Sequence, residues 1–196
     1  MDFLIYSRGA PATVDSEDDP ELDEQHWLYM DGFADGMTAR GPTLGSDRKT
    51  WTGSLHVLDL PSPQAVREFV AREPYNQAGL YEEHLIWRFT NFLGQTMWQF
   101  VDPADEPRFL VLAHAAKDLP KDPTPMPVAD LAPQLRARLI VYGGLRSLDD
   151  DGPAGVALAV QTPTREALDT LLGDERAGLA DYGDVRIHDW TFGGRR

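Results

Sequence analysis

The stretch TGSLHVLDLPSPQAVREFV (52–70) has a counterpart in AGVALAVQTPTREALDTLL (154–172), and the fold follows from that pair. Gly53 falls on Gly155, Pro61 on Pro163, Ala65 on Ala167 and Val66 on Leu168, each 102 positions apart. Both stretches read the same way. An apolar-rich run predicts a strand, and the proline that follows ends it. Ser62 and Thr164 then stand where a helix N-cap belongs. Pro63 suits the first helical position, because proline lacks only an N–H that would have no partner there. Ala65, Val66, Phe69 and Val70 form the buried stripe of that helix.

Working outward, DFLIYSRG (2–9) pairs with RFLVLAHA (108–115) at an offset of 106, and Gly41 pairs with Gly143 at 102. Ala78-Gly79-Leu80 recurs as Ala177-Gly178-Leu179 at an offset of 99. Four matching blocks in one order mark an internal duplication. The first copy predicts strands at Phe3–Ser7, Met37–Arg40 (ended by Gly41-Pro42), Trp51–Leu60 and His84–Thr90, with one helix starting near Pro20 and another after Ser62. Leu85, Trp87 and Phe89 share one face of its last strand. The second copy predicts strands at Phe109–Ala113, Leu139–Tyr142, Gly155–Thr162 and Val185–Thr191, with helices around Leu131–Ala137 and after Thr164. The domain boundaries expected are 1–93 for the first unit, 94–107 for a linker and 108–196 for the second unit, with a proline-rich loop at 117–127.

The order βαββαβ is the ferredoxin-like plan, an α+β unit with both helices on one face of an antiparallel sheet. One such unit leaves its other sheet face bare. Two fused copies can set those faces together, giving a pseudo-dimeric α/β barrel within one chain and, by expectation, a cavity between the sheets.

Composition narrows the role. With 32 acidic against 18 basic residues the net charge is −14, which repels a phosphate backbone and makes nucleic acid an unexpected partner. The acidic runs at 15–24 and 149–151 read as solvated loops. No apolar run is long enough for a membrane helix, the N-terminus has no export signal, and the absence of cysteine excludes disulfides and thiol chemistry. A cytoplasmic location is the expectation. The five histidines show no close metal-ligand spacing, so no metal is expected. Gly143-Gly144 and Gly193-Gly194 lack the partners of a phosphate loop. His188 and Asp189 are adjacent on a strand and so point to opposite faces.

Among possible site residues, His26 lies on the helical stripe of Leu22, Tyr29 and Phe33. A histidine there is either a hydrogen-bonded core or rim residue or an imidazole at work. His56 alternates with Leu58 and Leu60, facing either the barrel interior or a half-solvated sheet face. Arg8 and Arg40 follow strands near the expected mouth, where they either hold a carboxylate or phenolate or lie on the loop surface.

Several ordered motifs resemble the YCII-related family of the dimeric α/β-barrel superfamily over about residues 2–90: the strand FLIYS, a helix with one histidine (QHWLYM), the segment ARGPTL, the strand WTGSLHVLDL, and EPYNQAGLY. In the last, the family usually writes Asp-Pro-Tyr, so glutamate stands here in place of aspartate. The second half resembles the superfamily more weakly. The resemblance implies a histidine–acid active site carried over to His26 and Glu73, with Tyr75 as a phenol donor. It implies an enzyme without metal, flavin or nicotinamide that performs proton-transfer chemistry of the lyase or isomerase type: elimination, isomerisation, dehydration or cyclisation. The substrate would be a compact aromatic or polyketide-like intermediate. Tyr6, Trp51 and Trp87 would line its cavity, with Arg8, Arg40 and His56 as further substrate contacts. Two alternatives stand beside this: a non-catalytic ligand-binding or accessory partner of a biosynthetic enzyme, and a cofactor-free oxygenase. The chain is expected to act as a monomer with an internal pseudo-dimer or as a homodimer of such chains.

Overall fold

A computed structural model describes residues 1–11, 19–101, 105–115 and 124–193. Residues 15–18 of the first acidic run and most of the proline-rich loop lie outside the described residues. The first unit runs β1 (Asp2–Gly9), α1 (Pro20–Asp31), β2 (Met37–Leu44), β3 (Trp51–Asp59), α2 (Pro63–Arg72), a short α3 (Pro74–Gln77) and β4 (Tyr81–Asn91). The second runs β5 (Arg108–Ala115), α4 (Pro133–Arg136), β6 (Leu139–Arg146), β7 (Pro153–Gln161), α5 (Arg165–Leu172) and β8 (Tyr182–Trp190).

The matched stretches behave alike. Ser62 Oγ accepts the Ala65 N–H at 3.1 Å and Thr164 Oγ1 accepts the Ala167 N–H at 3.2 Å, so the two caps repeat along with the sequence. All strands pair antiparallel in a closed barrel of order β1-β3-β2-β8-β5-β7-β6-β4. Each unit keeps the ferredoxin-like order within itself. The units join at two seams, β2–β8 and β4–β6.

The seams correct one expectation. Gly41-Pro42 does not end a strand: β2 runs through it to Leu44. The reason is a close approach of backbones. A Cβ on Gly41, whose φ is +156°, would lie 1.9 Å from the Thr191 carbonyl oxygen, and one on Gly143 would lie 2.2 Å from that of Thr90. Without side chains there, the Gly193 N–H reaches Arg40 O at 3.0 Å and the Phe92 N–H reaches Tyr142 O at 2.9 Å. Pro42 still offers its carbonyl to the Thr191 N–H. The repeated glycine is therefore the residue that lets each seam close.

The barrel interior also differs from expectation, being packed rather than hollow. Leu4, Tyr6, Leu55 and Val57 of the first unit meet Leu110, Leu112, Ala157 and Trp190 of the second in one buried cluster. Met97, in a 3-10 turn of the 94–107 segment, is 1 % exposed and belongs to that cluster, with Trp98 and Phe100 packed against it. The linker thus adds to the core as well as connecting the halves. The outer faces are covered separately by the helices. Phe3, Ile5, Leu58, Val66 and Phe69 pack in the first unit, and Phe109, Val111, Leu135, Leu158 and Leu168 in the second. α1 stops at Asp31, so Phe33 lies beyond the helix, although it still packs beside Tyr29. α4 is only one turn, carrying the fully buried Leu135 and preceded by the fully buried Leu131. Among the described residues no helix is long and apolar enough to cross a membrane.

Replacing Gly143 with alanine forces Thr90 or the new methyl to move at a backbone contact. We expect Gly143→Ala to lose about 1–3 kcal/mol of stability, the usual range for overpacking a buried site. Urea unfolding of the variant beside wild type checks this, and an unchanged midpoint overturns the role given to the seam glycine.

Candidate functional site

A part-buried hydrogen bond joins the first helix to the junction of α2 and α3: His26 Nδ1–H donates to Glu73 Oε1 at 2.6 Å. Local sequence sets up both partners. Asp19 caps α1, accepting the Glu21 and Leu22 N–H groups at 3.1 Å, and Pro20 follows at the first helical position. His26 then comes up at the middle of the helix. On the other side, Pro74 disfavours helical backbone at the residue before it. Glu73 is accordingly extended, ends α2 and caps α3. Its Oε2 accepts the Asn76 N–H at 2.7 Å, which leaves Oε1 for the imidazole. Glu73 is 3 % exposed. The longer arm of glutamate is therefore accommodated, because a second bond holds its far oxygen.

Tyr75 lies flat against the imidazole, with ring centroids 4.0 Å apart and planes 2° apart. Its hydroxyl donates to Asp23 Oδ1 at 2.5 Å. Burial, together with that carboxylate, drives the Tyr75 pKa far above its usual value. Tyr75 thus sets its ring against the imidazole while Asp23 engages its hydroxyl proton. Around this pair, Trp51 packs edge-on to Tyr75 and tilted against Tyr81, whose hydroxyl donates to Ser54 Oγ at 3.0 Å. Burial also raises the Tyr81 pKa well above normal.

The remaining expected residues divide between two places. His56 turns to the helix-covered face beside Phe69, with its ring 6.1 Å from that of His26. Arg40 is its ladder neighbour; it is buried, and its guanidinium donates to Gly193 O and pairs with Asp31. Tyr6 and Trp87 face the barrel interior, where Tyr6 meets His188 and Trp87 meets His114. Arg8 is half exposed and pairs with Glu82 and Glu83. Tyr6 and Arg8 line a separate cleft of about 490 Å³, with Leu44, Thr52 and His188. The single aromatic cavity of Tyr6, Trp51 and Trp87 is therefore not assembled: Trp51 joins His26 and Tyr75 on the outer face of the sheet, while the other two lie within the barrel. Strand alternation alone could not decide this, since both faces of the sheet are buried.

Sequence reasoning missed Asp23, Ser7, Asn76 and His84. Asp23 carried a signal, as it sits three residues before His26 and so on the same helix face. It lay within an acidic run read as solvated loop. His84 Nδ1 bonds Ser7 Oγ, and its Nε2 bonds Asn76 Oδ1, both at 2.8 Å.

Among the described residues, the second unit has none of this. Asp174 matches Glu73 in backbone and caps a 3-10 turn, but it is exposed and caps only the Arg176 N–H. Across from it, the Arg176 guanidinium donates to the Asp130 and Leu131 carbonyls, and the Ala132 N–H donates to Arg176 O. The ladder that sets Ser7 between Ser54 and His84 sets Ala113 between Val156 and Val185 in the second unit. His56, between Ile5 and Arg40, gives way to Leu158, between Val111 and Tyr142.

Burial, helped by the charges of His26 and Arg40, pushes the His56 pKa down to about 3 from its ordinary 6.5. The unfolded chain then binds more protons than the folded one below pH 6.5. Stability from this residue is intact above that pH and falls by about 1.4 kcal/mol per unit as pH drops toward 3. His56→Leu, which copies the second unit, should flatten the acid limb of the stability–pH curve relative to wild type. Equal acid limbs in both proteins would show that His56 does not carry this loss.

Residues 1–90 match the model of the YCII-related domain. Among solved structures, the chain is similar to a 5-chloro-2-hydroxyhydroquinone dehydrochlorinase from Burkholderia phenoliruptrix AC1100, in complex with 2,5-dihydroxybenzoquinone. That match has 28% identity over 45% of this chain and 92% of the other, at a TM-score of 0.40. A heme-binding protein from Thermus thermophilus is similar over 96% of this chain and 90% of its own, with 11% identity and a TM-score of 0.51. A protein described as a candidate chlorite dismutase is similar over 97% of this chain and 95% of its own, with 8% identity and a TM-score of 0.52. The last two likenesses are of fold, and they span both units. No curated protein matches the chain. The fold is that of a dimeric α/β barrel built within one chain, and its N-terminal unit, residues 1–90, is the part that matches the YCII-related domain.

Proposed function

We propose that this chain is a small-molecule enzyme in which His26 moves a proton to or from a bound substrate without a cofactor. The observation that carries this is the 2.6 Å bond from the partly exposed His26 to the buried Glu73. With Nδ1–H committed to a carboxylate, the tautomer is fixed and Nε2 keeps the lone pair that accepts a proton. Glu73 is then the positioning residue, and it stabilises the imidazolium formed when His26 takes the proton. His26 returns that proton to a leaving group or to another carbon of the substrate, which is elimination or isomerisation according to the substrate. Stacking on Tyr75 keeps the ring from rotating away. Trp51, Tyr75 and Tyr81 offer ring faces to a flat, hydroxylated aromatic or polyketide-like substrate. Because the second unit has alanine, valines and leucine where the first has Ser7, Ser54, His84 and His56, one working site per chain is proposed.

Two experiments test this. His26→Gln should lower turnover about a hundredfold or more, the scale of a lost acid–base group, while the melting temperature stays near that of wild type. Turnover is followed by mass spectrometry on a panel of hydroxyquinols and cyclic diketones in D2O, which also records proton exchange without net conversion. Full activity in a folded variant removes His26 from the mechanism. Separately, titrating a ligand found in that panel against pure protein should saturate at one per chain, and two equivalent sites would overturn the assignment to the N-terminal unit alone.

A further inference from the structure

Glutamate at position 73 raises a question of positioning. Its extra methylene adds a rotor that a shorter aspartate would not have, and an untethered glutamate loses that freedom at a cost of entropy. The structure assigns the fixing of this carboxylate to Asn76, His84 and Ser7, which act as positioning residues behind the His26–Glu73 pair. Four bonds are linked through Asn76, whose side-chain oxygen takes His84 and whose backbone N–H holds Glu73. Ser7 O–H donates to His84 Nδ1 at 2.8 Å, and His84 Nε2–H donates to Asn76 Oδ1 at 2.8 Å. The Asn76 N–H donates to Glu73 Oε2 at 2.7 Å, and Oε1 takes the His26 proton at 2.6 Å. Every donor in the set meets an acceptor, provided that His84 is neutral with its proton on Nε2. Its surroundings favour the neutral form, since burial lowers the His84 pKa and outweighs the opposing pull of Glu73. Ser7, at 3 % exposure, is shielded from competing water. The ladder places alanine and valine at the matching positions of the second unit, where no carboxylate needs holding.

This inference rests on reading His26–Glu73 as the working pair, but its test needs no substrate, so the two can fail separately. Protein labelled with 15N at histidine reports both imidazoles by NMR. In wild type, His84 should carry its proton on Nε2 with Nδ1 as an acceptor, and His26 should show a slowly exchanging Nδ1 proton. In His84→Leu, which removes the donor to Asn76, exchange of the His26 proton with solvent should speed up roughly tenfold or more, the scale on which outer hydrogen bonds act on an imidazole they orient. His84→Gln places an amide N–H near the lost Nε2–H and should keep exchange near the wild-type rate. The opposite tautomer of His84 in wild type overturns the inference. So does an unchanged rate in His84→Leu, or an equal rise in both variants. Should His84→Leu not fold, the wild-type tautomer and His84→Gln decide, with Ser7→Ala expected to release the outer bond and speed exchange to a smaller degree.

Discussion

Each sheet in this protein has a bare apolar face that only the other sheet can cover, and everything else is arranged around that requirement. Leu55 and Val57 on one side and Leu110 and Leu112 on the other are buried because the two sheets meet. Burial of this kind, at about 25 cal/mol per Å², is the dominant favourable term for a chain of this size. It also fixes the seams. Sheets wrapped into a barrel bring strand backbones together at β2–β8 and β4–β6, closer than a side chain permits, and a glycine stands at each contact.

Because the shared core lies inside, the outer faces of the two sheets are free to differ. The second unit fills its outer face with apolar side chains, Leu158, Val156 and Tyr142 among them, packed under its helices. The first places Arg40, His56, Ser54 and Ser7 on its outer face, all of them buried. Buried polar groups on that scale cost stability unless each has a partner. Partners come from another strand and from the helix: Ser54 takes the Tyr81 hydroxyl and Ser7 holds His84, both of β4, and Arg40 reaches Asp31 of α1. A polar layer under one pair of helices and an apolar layer under the other is the physical difference between the two copies.

Much of this was legible in the residues. The repeat, the caps at Ser62 and Thr164, the strand order and the barrel follow from spacing and turn chemistry, which act locally. His26 and Glu73 could be paired only through resemblance, since 47 positions separate them and nothing local links a helix face to a distant cap. The placement of Trp51, Tyr6 and Trp87 was not legible, because alternation says which residues share a face but not which face lies toward the helices. A bulge in the β2–β3 ladder near Trp51 adds to the ambiguity. His84 and Asn76 escaped notice for a related reason: a strand histidine and a helix asparagine are ordinary until the fold brings them within 2.8 Å.

The joint between the halves has a consequence for how divisible the molecule is. Met97 lies in the connector yet fills part of the common interior, between side chains of both units. Two separate polypeptides cut on either side of it would meet around a void the size of a methionine, a loss of roughly 2–5 kcal/mol by the usual cost of such a cavity. The connecting segment is thus a third structural partner alongside the two halves, since part of their common interior belongs to neither of them.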